Sequence, residues 1–374
     1  MLKNIFKNYV YPIATLAGSI IGVGFLSLPY ITLKVGSIAM LFYFIALAAV
    51  VVSIHVMFGQ ISLKTPDHKR FPGFVEFYLG QWPKKIALVL IVLGSFGILL
   101  AYLIIGGQFL SILLQPFFGG SPLTYIFLYF VLASFIIYFG IAAISRAEFL
   151  ALTLLLVSFT IIFIKESWQI SIGNLIALPQ EFQISNVFLP YGAILFSLWG
   201  VGLIPEVEEM VVGRKKSLKK IIIISTLIPA AVYLIFIFLI LGISGNQTTD
   251  SALLGLKHFL GKEMFLVAIF MGFTTTFTAF IAQGLLLKKT FMYDMGIKEF
   301  WAWGITCATP LVLFLLGFNS FIPLISFVGG VLLSINGILI LLMYRKIGGK
   351  AIAIYPLLLV FVLGIIYEIV YFTR

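Results

Sequence analysis

Long apolar runs alternate with short polar ones along the whole chain, and nearly every charged residue falls between two runs or at the edge of one. Stretches of this kind, about 20 residues at 1.5 Å each, match the hydrocarbon thickness of a bilayer. The pattern predicts eleven helical spans, at 10–33, 36–59, 86–113, 122–144, 149–164, 188–210, 220–242, 263–287, 300–317, 320–344 and 351–372. The fold class expected is therefore an all-α integral membrane protein.

Two of these runs are interrupted. "GSIIGVGFLSLPY", residues 18–30, places Gly18, Gly22 and Gly24 within seven residues and follows them with Pro29. Each glycine costs a helix about 1 kcal/mol against alanine, so the first span should break near its middle. The same element recurs: Gly22-Val23-Gly24 returns as Gly200-Val201-Gly202, 178 residues on, with Pro12 and Pro190 ten residues ahead of each. Shifted by that offset, the second to fifth spans land on the seventh to tenth. The chain reads as one membrane domain, 1–374, with a five-helix repeat at 10–164, a second at 188–344, and an additional eleventh helix at 351–372.

An odd number of spans per repeat inverts the second repeat relative to the first. Inverted repeats with a broken helix at the matching place are the pattern of secondary transporters, whose site lies between the breaks. Glycines in membrane helices otherwise serve close packing. Two matched breaks favour a site.

Composition sharpens the class. With 62% hydrophobic and 10% charged residues, the chain cannot make the surface of a soluble domain, where about 25% are charged. The net charge of +11 is explained by its placement, since nineteen of the twenty-four Lys and Arg residues fall on one side of the predicted spans. By the positive-inside rule the N-terminus is cytoplasmic and the C-terminus extracytoplasmic, in a multi-pass protein of an inner or plasma membrane. Membrane lipid accounts for the basic balance, so no nucleic acid partner and no obligate protein partner is expected. Cys307 stands alone, which excludes a disulfide framework. The first apolar run is too long and too broken for a cleaved signal peptide and is expected to be retained. Within the hydrophilic segment 243–262, "DSALLGLKHFL" is helical in pattern and expected to lie on the membrane surface.

Gly22 and Gly200 both sit about 18 Å into their spans, near the midplane. Unwound backbone at that depth must face protein, water or a ligand. The amides of Val23, Gly24 and Phe25 open a half-helix whose positive end favours a carboxylate. The carbonyls of 17–21 and 196–199 end the preceding half-helices and suit an ammonium group or a cation. Ser19 and Ser197 add hydroxyls, while glycine at 22, 24 and 200 admits close approach. A zwitterion satisfies both ends. No metal cluster, phosphate loop or paired nucleophile and base accompanies these groups, so neither catalysis nor a cofactor is expected.

"GSIIGVGFLSLPY" with "FLPYGAILFSLWGVGLIPEVEEM" at 188–210 resembles the amino acid and auxin permease and aromatic amino acid permease branches of the amino acid, polyamine and organocation transporter superfamily. "LLAYLIIGGQFL" at 99–110 and "FTTTFTAFIAQGL" at 273–285 look like that group's third and eighth spans. The resemblance covers ten spans in order and implies the five-plus-five inverted-repeat fold of the leucine-transporter type, with helices 1 and 6 discontinuous. It implies an amino acid substrate, with Gly18, Ser19, Gly22 and Gly24 on the carboxylate side, and Phe196, Ser197 and Trp199 on the amino-group and side-chain side. Tyr102 matches a tyrosine that lies against the substrate. In sodium-linked members the ion lies between the first and eighth spans; here the ligands implied are Gly18 and Ile21 with two of Thr274, Thr275 and Thr276, chiefly Thr275 and Thr276. The fifth span lacks the lysine of some proton-linked relatives, so sodium is favoured over a proton as coupling ion. Glu206 is the proton candidate, although Pro205-Glu206 also reads as a helix start whose acids pair with Arg214 to Lys216. His55 reads as a packed or snorkelling side chain, and Arg146, Glu148 and Lys7 as interfacial anchors or an inner gate.

The function expected is a symporter importing a neutral amino acid by alternating access. A nutrient-sensing receptor on the same fold, of the spore-germination type, is the alternative.

Overall fold

The structure of the protein, a computed structural model, describes residues 6–67, 69–140, 144–176, 186–211 and 215–372. The first span is a bent pair, Asn8–Ile20 and Gly24–Val35, meeting at 51°. The second to fifth follow as Ser37–Lys64, Gln81–Phe118, Pro122–Phe139 and Ile144–Glu166. The sixth, Leu189–Met210, is interrupted at Trp199–Gly200. Beyond it come Lys215–Ser244, Lys262–Tyr293, Glu299–Leu315, Phe321–Lys346 and Ala351–Phe372. The order of spans predicted from hydropathy is the order observed.

Three local readings change. The fourth span stops at Phe139 instead of 144, because Gly140 adopts a left-handed conformation (φ 60°, ψ 50°) that no helix continues through. The polar stretch 60–85 contains a short helix, Phe71–Leu79, which buries Phe71, Phe74 and Val75 against the third span. "DSALLGLKHFL" does not lie on the surface: Leu253–His258 forms a 3-10 turn packed on the seventh and eighth spans, with Leu253 and Leu256 fully buried. Its two leucines find an apolar slot between helices, which buries more surface than an interface would.

The outer half of the first span and both halves of the sixth pack with the second and seventh, the inner half of the first packs with the seventh, and the third and eighth form the centre of a second group with the fourth, fifth and ninth. The outer half of the sixth span, Leu189–Leu198, lies along the tenth. In the tenth span Val328–Leu333 is wound as a π-helix, a rare turn that concentrates at functional sites. The breaks therefore sit where the two helix groups meet.

Candidate functional site

The first break forms because the inner helix ends at Ile21, whose ψ of 89° leaves the helical region. The Gly22 amide turns back to Ile20 O at 2.9 Å, and a 3-10 turn, Gly24–Ser27, starts the outer half. Pro29 then occupies the first turn of Leu28–Val35, where its missing N–H is harmless. The second break repeats the device: Trp199 is extended (φ −77°, ψ 119°), Val201–Leu203 is 3-10, and Pro205 opens Ile204–Met210.

Two side chains hold the breaks. Tyr233, fully buried on the seventh span, donates its hydroxyl to Ile20 O at 2.9 Å and Ser197 O at 3.1 Å. Both are carbonyls at the C-terminal ends of first half-helices, so the negative ends of the two breaks meet at one phenol. His55, fully buried on the second span, accepts the Gly200 amide at Nε2, 3.1 Å. Its Nδ1 lies 3.0 Å from Thr226 Oγ1, which itself donates to Ile222 O. Those partners fix the neutral tautomer with the proton on Nδ1. Of the two expected readings of His55 the structure has the packed one, not the snorkelling one, and adds a role: the imidazole accepts the backbone amide at the sixth-span break.

The expected site residues fall into two sets. Tyr102 reaches across from the third span so that its hydroxyl lies against Gly22. A methyl added at Gly24 would sit 2.5 Å from Phe196 Cδ1 and 2.6 Å from Ser197 Oγ, so these side chains cover Gly24. Gly22, Val23, Gly24, Tyr102, Phe196 and Ser197 thus form one packed group. Ser19, Trp199 and Gly200 instead line a cavity of about 220 Å³. It runs past Ser95, Gln283, Asn336 and Glu206 to Arg70 and Asp294 on the Lys/Arg-rich side. The Arg70 guanidinium lies 3.5 Å from the Asp294 carboxylate there. Glu206 stands in the first turn of Ile204–Met210, as expected. Its neighbour Glu208 accepts from Ser62. The expected pairing with Arg214 to Lys216 and the gate at Lys7, Arg146 and Glu148 lie outside the described side chains.

The expected cation ligands are more dispersed. Gly18 and Ile21 lie on the last turn of the inner helix, Thr275 and Thr276 are buried on the eighth span, and none of the four lines the cavity. Thr275 donates to Met271 O at 3.0 Å and Thr276 to Gly272 O at 2.9 Å, so both hydroxyl protons are turned to their own helix.

Beyond the first break a plug of aromatics is packed between the spans. Phe25 stacks on Tyr233 (centroids 5.2 Å, 7° between planes) and meets Phe236 and Phe159 edge-on at 4.8 and 6.1 Å. Past this plug a second cavity of about 770 Å³, lined by Tyr30, Lys34, Asn246, Asp250 and Tyr371, opens on the opposite face.

Tyr233 escaped the sequence reading, and His55 was named there without its bond to the sixth-span break. Tyr233 leaves no signal in its apolar surroundings; His55, a lone imidazole within a span, was the signal available for the other.

Among solved structures the chain is similar to MhsT crystallised with L-phenylalanine (TM-score 0.70, 16% identity, covering 97% of this chain and 98% of that one). It is equally similar to Mhp1, a nucleobase-cation-symport-1 family transporter, in a closed conformation with bromovinylhydantoin bound (TM-score 0.69, 15% identity, 96% and 90% covered). An inward-facing form of Mhp1 matches at TM-score 0.69 with 14% identity over 96% of this chain and 88% of that one. These likenesses establish the leucine-transporter-type fold. A curated relative, tyrosine-specific transport system 1 of Haemophilus influenzae, is 22% identical over 221 residues, 59% of this chain. The match spans about half of that relative, 54% of its length. Residues 7–366 match the tryptophan/tyrosine permease family, a family of membrane permeases and not of enzymes. This multi-pass membrane chain belongs to the tryptophan/tyrosine permease family.

Proposed function

We propose that the protein is a secondary active permease that imports a neutral amino acid, aromatic ones included, by alternating access at the paired breaks. The observation that carries this reading is the meeting of the two carbonyl-ended half-helices at Tyr233, beside the opening amides of Gly24 and Phe25. Opposed helix ends a few ångströms apart suit both ends of a zwitterion. Its carboxylate faces the amides of Val23, Gly24 and Phe25, with Gly18, Ser19 and Gly22 alongside. Its ammonium group faces the carbonyls that precede the breaks. Its side chain lies among Tyr102, Phe196, Ser197, Trp199 and Gly200. The family, the tyrosine transport relative and the phenylalanine complex of MhsT all support an aromatic side chain.

The cavity at Ser19 and Trp199 faces the Lys/Arg-rich side, which the positive-inside rule makes cytoplasmic. Import is coupled to sodium held by backbone oxygens of Gly18 and Ile21 with Thr275 and Thr276, a set of hard oxygens suited to such an ion.

Uptake of labelled amino acids into proteoliposomes, under separate sodium and pH gradients, tests both parts. Accumulation of tyrosine, tryptophan or phenylalanine under a sodium gradient is expected; no accumulation of any amino acid under either gradient ends the permease reading. A Thr275→Val, Thr276→Val pair is expected to weaken the sodium dependence, and full retention of it removes sodium from these positions.

A further inference from the structure

A carboxyl group stands inside the eleventh span, away from both breaks. Glu368 is 1% exposed, and neither of its oxygens has a hydrogen-bond partner among the described residues. It is pressed into a seam of glycines. A methyl added at Gly192, on the outer half of the sixth span, would sit 2.7 Å from Glu368 Oε1 and 2.5 Å from Ser326 O of the tenth. One added at Gly330, within the π-helix, would sit 2.6 Å from the same Oε1. Ser326 Oγ, fully buried, also lacks a partner among the described residues.

Among the described residues the groups packed against the carboxyl carry no charge. From the sixth span it meets Gly192, and the adjacent Tyr191 has its hydroxyl bonded to Ser334 Oγ at 2.8 Å and its ring against Gly364 of the eleventh span. From the tenth come Gly330 and, across Gly192, Ser326, and next to it on its own helix stands the phenol of Tyr367. An ionised carboxylate with no counter-charge and no donor is among the least tolerable groups in a membrane interior, whereas a protonated one is a neutral polar group. Yet the seam lies just beneath water. Leu189, Phe321 and Tyr371 line the cavity of about 770 Å³, and they stand roughly one helical turn from Gly192, Ser326 and Glu368 on the same three helices.

We propose that Glu368 is a proton-binding site. It holds its proton while the sixth span lies against the tenth and eleventh, and when they part it releases that proton to water in this cavity, leaving a hydrated carboxylate. The glycines allow the closed, proton-loaded packing, and the π-helical turn is the element that can slide. The link to transport rests on the permease reading; the proton site itself does not.

Infrared difference spectra of the full-length protein in liposomes, with the external medium stepped from acid to alkaline, test the site directly. The wild type is expected to lose a protonated-carboxyl C=O band that Glu368→Gln never shows and Glu368→Asp shows at a shifted frequency. Identical difference spectra for the wild type and Glu368→Gln overturn the proposal. So does a shift absent from Glu368→Asp when that is the only variant that folds. Amino acid uptake separates the two ideas: a titrating band without uptake sinks the permease and keeps the proton site. With uptake present, Glu368→Gln should flatten its dependence on external pH, and an unaltered pH profile removes the coupling.

Discussion

The hydroxyl of Tyr233 is the smallest group whose loss should be felt at both breaks. Tyr233→Phe removes one oxygen and keeps the ring that stacks on Phe25 at 5.2 Å, so packing is conserved and only the bonds to Ile20 O and Ser197 O go. The two acceptors fare differently. Ile20 O keeps the Gly22 amide at 2.9 Å, whereas Ser197 O loses the phenol with nothing of like kind to replace it. A net hydrogen bond is worth about 0.5–1.5 kcal/mol, and a buried acceptor left unmade costs about 1–3 kcal/mol. The expected destabilisation is about 2 kcal/mol, close to a thirtyfold change in an equilibrium constant. Reversible unfolding of purified protein in detergent measures it, with Tyr355→Phe as control. Tyr355 is exposed and, among the described residues, its hydroxyl is bonded only to Arg345 at 3.3 Å, so that change should stay within about 0.5 kcal/mol. If Tyr233→Phe is as stable as the control, the phenol does not hold the breaks together and the reasoning is wrong.

Other changes probe the same centre and its surroundings. His55→Ala leaves the Gly200 amide without its acceptor and is expected to cost about 1–3 kcal/mol by the same unfolding assay, with His55→Gln recovering part of it through its side-chain oxygen. Gly24→Leu must displace Phe196 and Ser197, and should abolish amino acid binding in a scintillation proximity assay while the protein still inserts; wild-type binding would contradict a backbone site. Outside the membrane, Lys84 at 2.6 Å holds the Glu76 carboxyl below the ordinary carboxylate range, assisted by Gln81. A depressed carboxylate stabilises the fold above its unfolded-state titration and loses that contribution as pH falls through the folded-state one. Amide protection factors in Phe71–Leu79, taken relative to the intrinsic exchange rate at each pH, should therefore fall on acidification, and less so in Lys84→Met.

The spans and both breaks were legible because each is written locally. Twenty apolar residues, or a Gly-Val-Gly inside such a run, needs no partner to be recognised. What holds the breaks was not legible, since Tyr233 meets Ile20 across more than two hundred residues and nothing near it in sequence announces the contact. The 3-10 turn at Leu253 misled for a related reason: an amphipathic pattern states that one face is buried without saying against what, and here it is protein instead of lipid. Glu368 could have been noticed, as a carboxylate deep in the last span. Its glycine-lined packing against Gly192 and Gly330 could not.

A phenol has a single proton, and Tyr233 offers it to two carbonyls at nearly equal distance, 2.9 and 3.1 Å. Whichever half-helix swings away surrenders its share to the other, so loosening one break tightens the remaining one. Such a see-saw disfavours the state in which both sides are undone together. In the alternating-access permease proposed above, which must never open to both faces of the membrane at once, this competition for one hydrogen would be a local guard against leakage.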